Sequence, residues 1–518
     1  MDINKIISCN TNKKMALWIV SLFCFLVFII FICKGFHKTA STSRKKLPPS
    51  PSRFPIIGNL HQLGLQPHRS LQLLSKRYGP LFLLNLGSVP VLVVSSADAA
   101  RMIMKYHDLI FSNRPKSSMA EKLLYGCKDI AFAPYGEYWR QVRSICVLQL
   151  LSNTRVQSFC RVREEETTLM VEKIRQSRSS SSSINLSDLL ISLTNDIVCR
   201  VALGRKYCVG EEGKTFKKLL REYGDLLGTF YVGDYIPWLA WISKINGLDA
   251  KVDKMFKVFD EFLEGIVEEH REQMKGGVNC DEAGVSDFVY LLLEIQTQNL
   301  AGFRLETDAI KAIILDVFGA GTDTTSTVLE WTVAELLKHP KILEKLQNEV
   351  REVAGRKLDI TEDDLEKMPY LRAVIKESLR LHTPVPLLVP RESTQSIKLM
   401  GYDIAAGTQV LVNAWAIGRD PSLWENPEEF RPERFFETDI GFKGLDFELI
   451  PFGAGRRGCP GVAFAMVVNE LALAKLVHKF NLALPNGGKE SDIDMTEGTG
   501  LTVHKKFPVL VVATPQSC

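Results

Sequence analysis

A chain of 518 residues, 46% of them hydrophobic, can bury a large core, and its length suggests about three domains. Its formal charge is only +4, which gives no support to a nucleic-acid binder with a clustered basic face. The 11 cysteines are odd in number, irregularly spaced and free of CxxC pairs, which argues against a disulfide framework or a zinc site and for a reducing compartment.

The first element in chain order is the uncharged stretch 15–33, MALWIVSLFCFLVFIIFIC. As a helix it would extend roughly 28 Å, close to the hydrocarbon thickness of a bilayer. A cleaved signal peptide would have a shorter apolar region followed by a small-residue cleavage site, and no such site is clear. The stretch is therefore expected to be an uncleaved anchor. More Lys and Arg follow it (Lys34, Lys38, Arg44, Lys45, Lys46) than precede it (Lys5, Lys13, Lys14), which predicts a lumenal tail at 1–14 and a cytoplasmic bulk. Residues 34–60 read as a basic, Pro-rich hinge. Prolines in KKLPPSPSRFPIIGNL forbid a helix and favour a stiff, extended strap.

Residues 80–96, PLFLLNLGSVPVLVVSS, read as two short strands around a Gly-Ser turn. Helical periodicity dominates beyond them, in VREEETTLMVEKIRQ and KILEKLQNEVREVAG among others. Serines 179–183 read as a solvated loop, and Asn185-Leu186-Ser187 is a glycosylation sequon, expected to stay unmodified on a cytoplasmic domain. Strand signals return at 396–412. The expectation is a mainly α fold with small β-sheets, not alternating βα units.

Four constellations carry the chemistry. In WRQVR (139–143), Trp139 and Arg143 share a helix, where an ordinary core Trp is the plain alternative. In 310–331 an apolar helical stripe (Ile310, Ile313, Ile314, Val317, Phe318) runs into GAGTDTTSTVLEW, whose residues are poor in a helix interior. That is either a loop between two helices or a polar defect with a use. In KESLR, Glu377 and Arg380 lie three apart on one helix face; alone, they read as a surface ion pair. The fourth is PFGAGRRGCPG (451–461), open to three readings: a turn, a nucleotide-phosphate loop, or a metal ligand. Its GxGxxG follows FELI, a possible strand, but a dinucleotide fold needs a βαβ unit and an acid about 20 residues on, and the region LVHKFNLAL carries none. The metal reading has better physics. Cys459 stands before a strong helix, whose unpaired N–H groups and positive dipole end favour a thiolate. A single thiolate without other protein ligands suits a haem iron.

Phe452, Gly455, Arg457, Cys459 and Gly461 match the FxxGxRxCxG haem loop, and the chain resembles the cytochrome P450s. The other motifs follow in family order across nearly the whole chain. FAPYGEYWRQVR, PLLVPRE and PFGAGRRGCPG are similar to plant A-type microsomal members of the 71 family, with a psoralen-synthase-like look. The resemblance implies the P450 fold over residues 61–518, preceded by a single N-terminal transmembrane helix. It implies haem b (iron protoporphyrin IX), with Cys459 as axial thiolate. Trp139, Arg143, Arg391, Phe452, Arg457 and Gly461 would be cofactor-binding. Asp323 and Thr324 would be the acid–alcohol pair that relays protons, with Ala320 and Gly321 leaving room for oxygen. Glu377, Arg380 and, from PERF, Arg434 would form a structural network. One departure, Thr383 where the family often has proline, touches a segment that usually lines the substrate pocket.

The implied reaction is O₂-dependent oxidation of a small lipophilic plant metabolite such as a terpenoid, coumarin or phenolic. Electrons would come from NADPH through a separate NADPH–cytochrome P450 reductase, with cytochrome b5 as a further partner and the endoplasmic reticulum membrane as the location. Arg140, Arg456 and Lys475 are candidates for the basic face that meets the reductase. The substrate pocket is expected to include Ile314, Ala320, Leu387, Leu388, Thr499 and Leu501. The aromatic run 230–242 reads either as a membrane-facing entrance or as core. Two alternatives stay open: an O₂-independent dehydratase or isomerase, and a membrane-anchored haem sensor or scaffold.

Overall fold

The computed structural model describes residues 18, 20–25, 27–28, 46–177, 183–207, 210–276, 286–298 and 305–516. The described part of the 15–33 stretch is helical and exposed; the remainder of the expected anchor, the tail 1–14 and the first part of the hinge lie outside the described residues. Among the described residues no helix is long and apolar enough to cross a membrane. The serine loop also falls largely outside them.

Helices dominate, and sheets are small. The helices that build the site are α1 (Pro67–Tyr78), α2 (Glu137–Ile145), α3 (Cys160–Gln176), α4 (Leu186–Leu203), α5 (Gly210–Leu227), α6 (Leu248–Lys275), α7 (Phe288–Gln298), α8 (Thr307–Lys338), α9 (Pro340–Ala354), α10 (Pro369–Leu381) and α11 (Val462–Lys479). The strands are β1 (Leu81–Leu86), β2 (Val89–Val94), β3 (Ile184–Asn185), β4 (Arg391–Glu392), β5 (Ile397–Leu399), β6 (Tyr402–Ile404), β7 (Gln409–Val412), β8 (Phe480–Ala483) and β9 (Leu510–Pro515). They form sheets of order β1-β2-β7-β4, β3-β9-β8 and β5-β6.

The hairpin at 81–94 and the strands within 396–412 form where the alternation of apolar residues calls for them. Gly87 turns the hairpin at φ +58°, and a Cβ there would lie 2.4 Å from the Tyr235 carbonyl, so only glycine fits. Pro90 sits in β2 ahead of the point where β7 begins to pair, at Val91, so its missing N–H breaks no ladder bond there. The strap at 46–58 runs beside this sheet: Leu83 N–H reaches Pro49 O, and Asn59 Oδ1 accepts the Asn85 N–H.

Helix α8 runs through the core. It packs along α4 and meets α10, α11 and α9. Nearly every residue of its C-terminal half is buried, because neighbours surround it on all sides. The helix is unbroken through Gly319–Thr325, so the loop alternative for GAGTDTT does not hold. Thr324 Oγ1 donates to the Ala320 carbonyl at 2.7 Å, and such back-bonding lets a poor helix former sit inside a helix. FELI (447–450) is turn and coil, not a strand, which removes the last support for a nucleotide-phosphate loop.

Candidate active site

Residues 451–461 form a rigid loop ahead of α11. The Cys459 N–H donates to Phe452 O at 2.9 Å, and Gly455 to Arg457 form one tight 3₁₀ turn. Gly455 has φ +68°, and a Cβ there would stand 2.2 Å from the Met104 carbonyl, so the loop lies too close to its neighbour for any other residue. The Gly461 N–H points at the Cys459 sulfur. Burial still pushes the Cys459 thiol up, against the pull of that N–H and of the Arg143 charge. The Gly461 N–H and Arg143 favour the thiolate as the sequence led one to expect, and coordination to a metal would deprotonate the sulfur outright.

The sulfur faces an internal cavity of about 290 Å³. On one side stand Phe452, Gly453, Arg457, Gly458, Cys459, Gly461 and Phe464; on the other, α8 offers Val317, Ala320, Gly321 and Thr324. These are four positions of one helical face. Gly321 fits against Val198 of α4, where a Cβ would come within 3.2 Å, so α8 approaches α4 closely at this turn. Asp323 lies on another face, with Oδ2 3.8 Å from the position a Cβ on Gly224 of α5 would take.

Four guanidinium groups crown the cavity: Arg114, Arg143, Arg391 and Arg457. Arg457 donates to the carbonyls of Ser112 (2.8 Å), Ile130 (3.2 Å) and Ala133 (2.6 Å), with its guanidinium 4.1 Å from the Trp139 ring centroid. Trp139 Nε1–H donates to Ile130 O. Arg143 donates to Gly458 O at 2.6 Å, and Arg391 to Ala454 O at 2.7 Å, with Asp108 at 3.2 Å. Arg114 donates to the carbonyls of Ala131, Val389 and Pro390, all at 2.7 Å. Burial and the like charge of Arg391 push Arg457 down to about 9. Burial lowers Arg114 as well, reinforced by Arg457 and Arg391. Such crowding of buried positive charge is costly unless an anion joins it.

The donor set fits a haem. An apolar slot has a single thiol on one wall, glycines where a flat macrocycle must pass, and a surplus of arginines suited to two propionates. Arg114 was not singled out from sequence, because a lone arginine in FSNRP carries no local signal of burial.

Below the loop, Glu377 and Arg380 of α10 and Arg434 of the PERF turn form a buried network, not the surface pair the spacing alone suggests. Some expected residues lie elsewhere. Of the predicted substrate contacts, Ala320 and Leu388 line the cavity. Ile314 packs in the core a turn before Val317. Leu387 packs against the sheet that contains β1 and β2. Thr499 lines a separate cleft with Asp225 and His504. The Leu501 backbone abuts Gly228. Lys475 is also misread from sequence as a surface cation. It is buried on α11, donating to Thr168 Oγ1 (2.7 Å) and paired with Asp359 (2.8 Å). Arg140 and Arg456 are exposed, pairing with Glu137 and Asp108.

The family model described as Cytochrome P450 matches residues 48–511. The chain is 57% identical to norfluorocurarine oxidase of Strychnos sp over 95% of its length and 97% of that protein. It is also 57% identical to Cytochrome P450 71A6 of Nepeta racemosa, over 96% and 99%. A zebrafish cytochrome P450 solved with abiraterone superposes with a TM-score of 0.73 at 28% identity, covering 88% of this chain and 100% of that one.

Proposed function

This chain belongs to the cytochrome P450 family and is a haem-thiolate monooxygenase, and we propose that it oxidises a small lipophilic plant specialised metabolite such as a terpenoid, coumarin or other phenolic. Hydroxylation, oxidative cyclisation or cleavage are the outcomes of this one activity. The observation that carries the reading is the opposition of Cys459 and Thr324 across one apolar cavity, with Val385, Leu388 and Val389 on its wall.

Haem, when bound, supplies oxygen activation at an iron ligated by thiolate. The chain supplies the rest. Arg114, Arg143, Arg391 and Arg457 would hold the propionates. The apolar walls exclude water and orient a hydrophobic substrate. Thr324 lines the cavity, and Asp323, one residue earlier on α8 and on another face, is proposed as the acid that feeds protons toward it.

Electrons come from a separate reductase, proposed to be the NADPH-dependent enzyme of the endoplasmic reticulum with cytochrome b5 as a further donor. Residues 15–33 are proposed as a single-pass anchor that leaves residues 61–518 cytoplasmic. Trp238, Trp241 and Ile245 support a second membrane contact, because they are exposed on one short segment where large apolar side chains are costly in water. Their exposure also weighs against the core alternative for 230–242.

The test is turnover. Microsomes containing the protein, given NADPH and a panel of plant metabolites, should yield products one or more oxidation steps beyond their substrates, identified by mass spectrometry. Turnover that persists without NADPH and O₂ would favour the dehydratase or isomerase alternative. Asp323→Asn and Thr324→Ala should lower product formed per NADPH consumed, with peroxide rising in its place.

A further inference from the structure

Residues 129–133 are tied to α8 by two acids, where an acid and a base would be expected. Asp316 Oδ2 accepts the N–H groups of Ile130 (2.8 Å) and Ala131 (3.0 Å). Asp129 Oδ2 accepts the Phe132 N–H at 2.7 Å. The two carboxyl groups lie close enough for each to shift the other's ionisation. Ionised carboxylates only accept, so a bond between them requires a proton. Asp129 Oδ1 is buried and has no hydrogen-bond partner. A proton on Asp316 Oδ1 would be donated there and would complete both groups.

This segment is what the haem-pocket donors hang on. The Ile130 carbonyl takes Trp139 and Arg457, the Ala131 carbonyl takes Arg114, and the Ala133 carbonyl takes Arg457 again. Ile130, Ala131 and Asp316 themselves line the cavity. We propose that Asp129 and Asp316 share one proton, and that this acid pair is the positioning element fixing segment 129–133, and through it Trp139 and the propionate-facing Arg114 and Arg457, against α8. The proposal rests on the haem-pocket reading of the cavity.

The charges around the pair permit one negative charge and not two. Arg114 and Arg457 are the cations near it. The remaining ionisable neighbours, Tyr138, Tyr223, Cys127 and Cys146, are all pushed up by burial and stay neutral. Burial raises both carboxyls. Asp316 is raised further by Asp129, whereas the Phe132 N–H and Arg114 hold Asp129 lower. Since the folded value is raised, the clasp is intact below that raised value. It is lost as pH rises through that value and the second charge appears.

Three substitutions separate the possibilities. Asp316→Asn copies the protonated acid, donating to Asp129 and accepting from Ile130 and Ala131, without a titratable proton. Asp129→Asn removes the neighbouring negative charge and leaves Asp316 as the sole titratable member of the pair. Asp316→Ala removes the clasp and leaves two buried N–H groups unpaired. Haem content comes first: wild-type protein that takes up no haem overturns both the pocket reading and this one. In the ferric holoprotein, infrared spectroscopy should find a protonated-carboxyl stretch that Asp316→Asn lacks and that fades from the wild type as pH rises. Haem transfer to added apomyoglobin, followed from pH 6 to pH 10, should accelerate about tenfold on the alkaline side for wild type. It should stay slow and flat for Asp316→Asn, and be fast throughout for Asp316→Ala. A haem-loaded protein without the infrared band, a flat wild-type profile, or Asp316→Asn behaving like Asp316→Ala overturns the shared proton. Should Asp316→Ala fail to fold, the wild type and Asp316→Asn decide the matter alone.

Discussion

Glu377 and Arg380, one helical turn apart on α10, make a bidentate ion pair with both side chains at 0% exposure: Nε to Oε2 at 2.7 Å and Nη2 to Oε1 at 2.8 Å. Glu377 Oε1 also accepts from Arg434 Nε at 3.0 Å and from the Arg431 N–H at 2.8 Å. The remaining Arg380 donors reach the carbonyls of Gly418, Pro427 and Glu429. Glu377 serves both arginines and backbone carbonyls take their remaining donors, so the network pins α10 to the segment that leads into the haem loop.

Removing Glu377 leaves two buried guanidinium groups without a carboxylate, at a cost of about 3–5 kcal/mol, and removing either arginine strips buried Glu377 and several carbonyls of their donors. Glu377→Gln, Arg380→Ala and Arg434→Ala should therefore give protein that is largely haem-free, measured as haem per polypeptide after purification. Arg380→Lys should fail nearly as badly, because one ammonium cannot reproduce the fork that meets Glu377 and three carbonyls.

Cys459 should be irreplaceable as the axial ligand. The reduced, CO-bound protein should give a thiolate-type Soret band, and Cys459→Ala should lose it. Arg457→Ala should retain the ligand but load less haem, since Ser112, Ile130 and Ala133 would all lose the donor that joins them to the loop.

Exposed and buried cations should behave differently toward a reductase. Reversing Arg140 or Arg456 to Glu should slow the first electron transfer about tenfold at low salt and flatten its ionic-strength dependence, with the thermal midpoint of unfolding nearly unchanged. Lys475→Glu should act on stability instead, because it places a carboxylate against Asp359 in the space between α11 and α3. A salt-independent reduction rate in the wild type would remove the electrostatic account of docking.

Much of the site was legible in the chain because its chemistry is local: the loop around Cys459, the Asp323-Thr324 pair and the Glu377–Arg380 spacing each lie within a dozen residues. What was hidden depended on contacts between distant segments. A lone acid in IKAIILDVF gives no sign that Asp316 meets Asp129, 187 positions earlier. Lys475, the first lysine in LALAKLVHKF, looks like any solvated cation until Asp359 and Thr168 close over it. Helix propensity could not predict that α8 continues through GAGTDTT, because packing against α4 outweighs the local preference.

Acid should unfold the protein partly through Glu497. Its side chain is 3% exposed and accepts from Arg69 Nε at 2.7 Å, with His68 Nε2 at 3.0 Å, joining the segment before β9 to the start of α1. Burial opposes its ionisation, but the bonds from His68 and Arg69 outweigh burial and bring the carboxyl down to about 2. An unfolded glutamate titrates near 4.3. The folded value is thus depressed, so the contribution is complete above about pH 5 and is lost as pH falls toward 2. It amounts to about 3 kcal/mol by linkage. Glu497→Gln should lower stability at pH 7 by roughly this amount and by progressively less below pH 4, where the wild-type carboxylate is itself being protonated. Urea unfolding at pH 7 and at pH 3 checks it: equal destabilisation at both would mean that the ion pair is not the source.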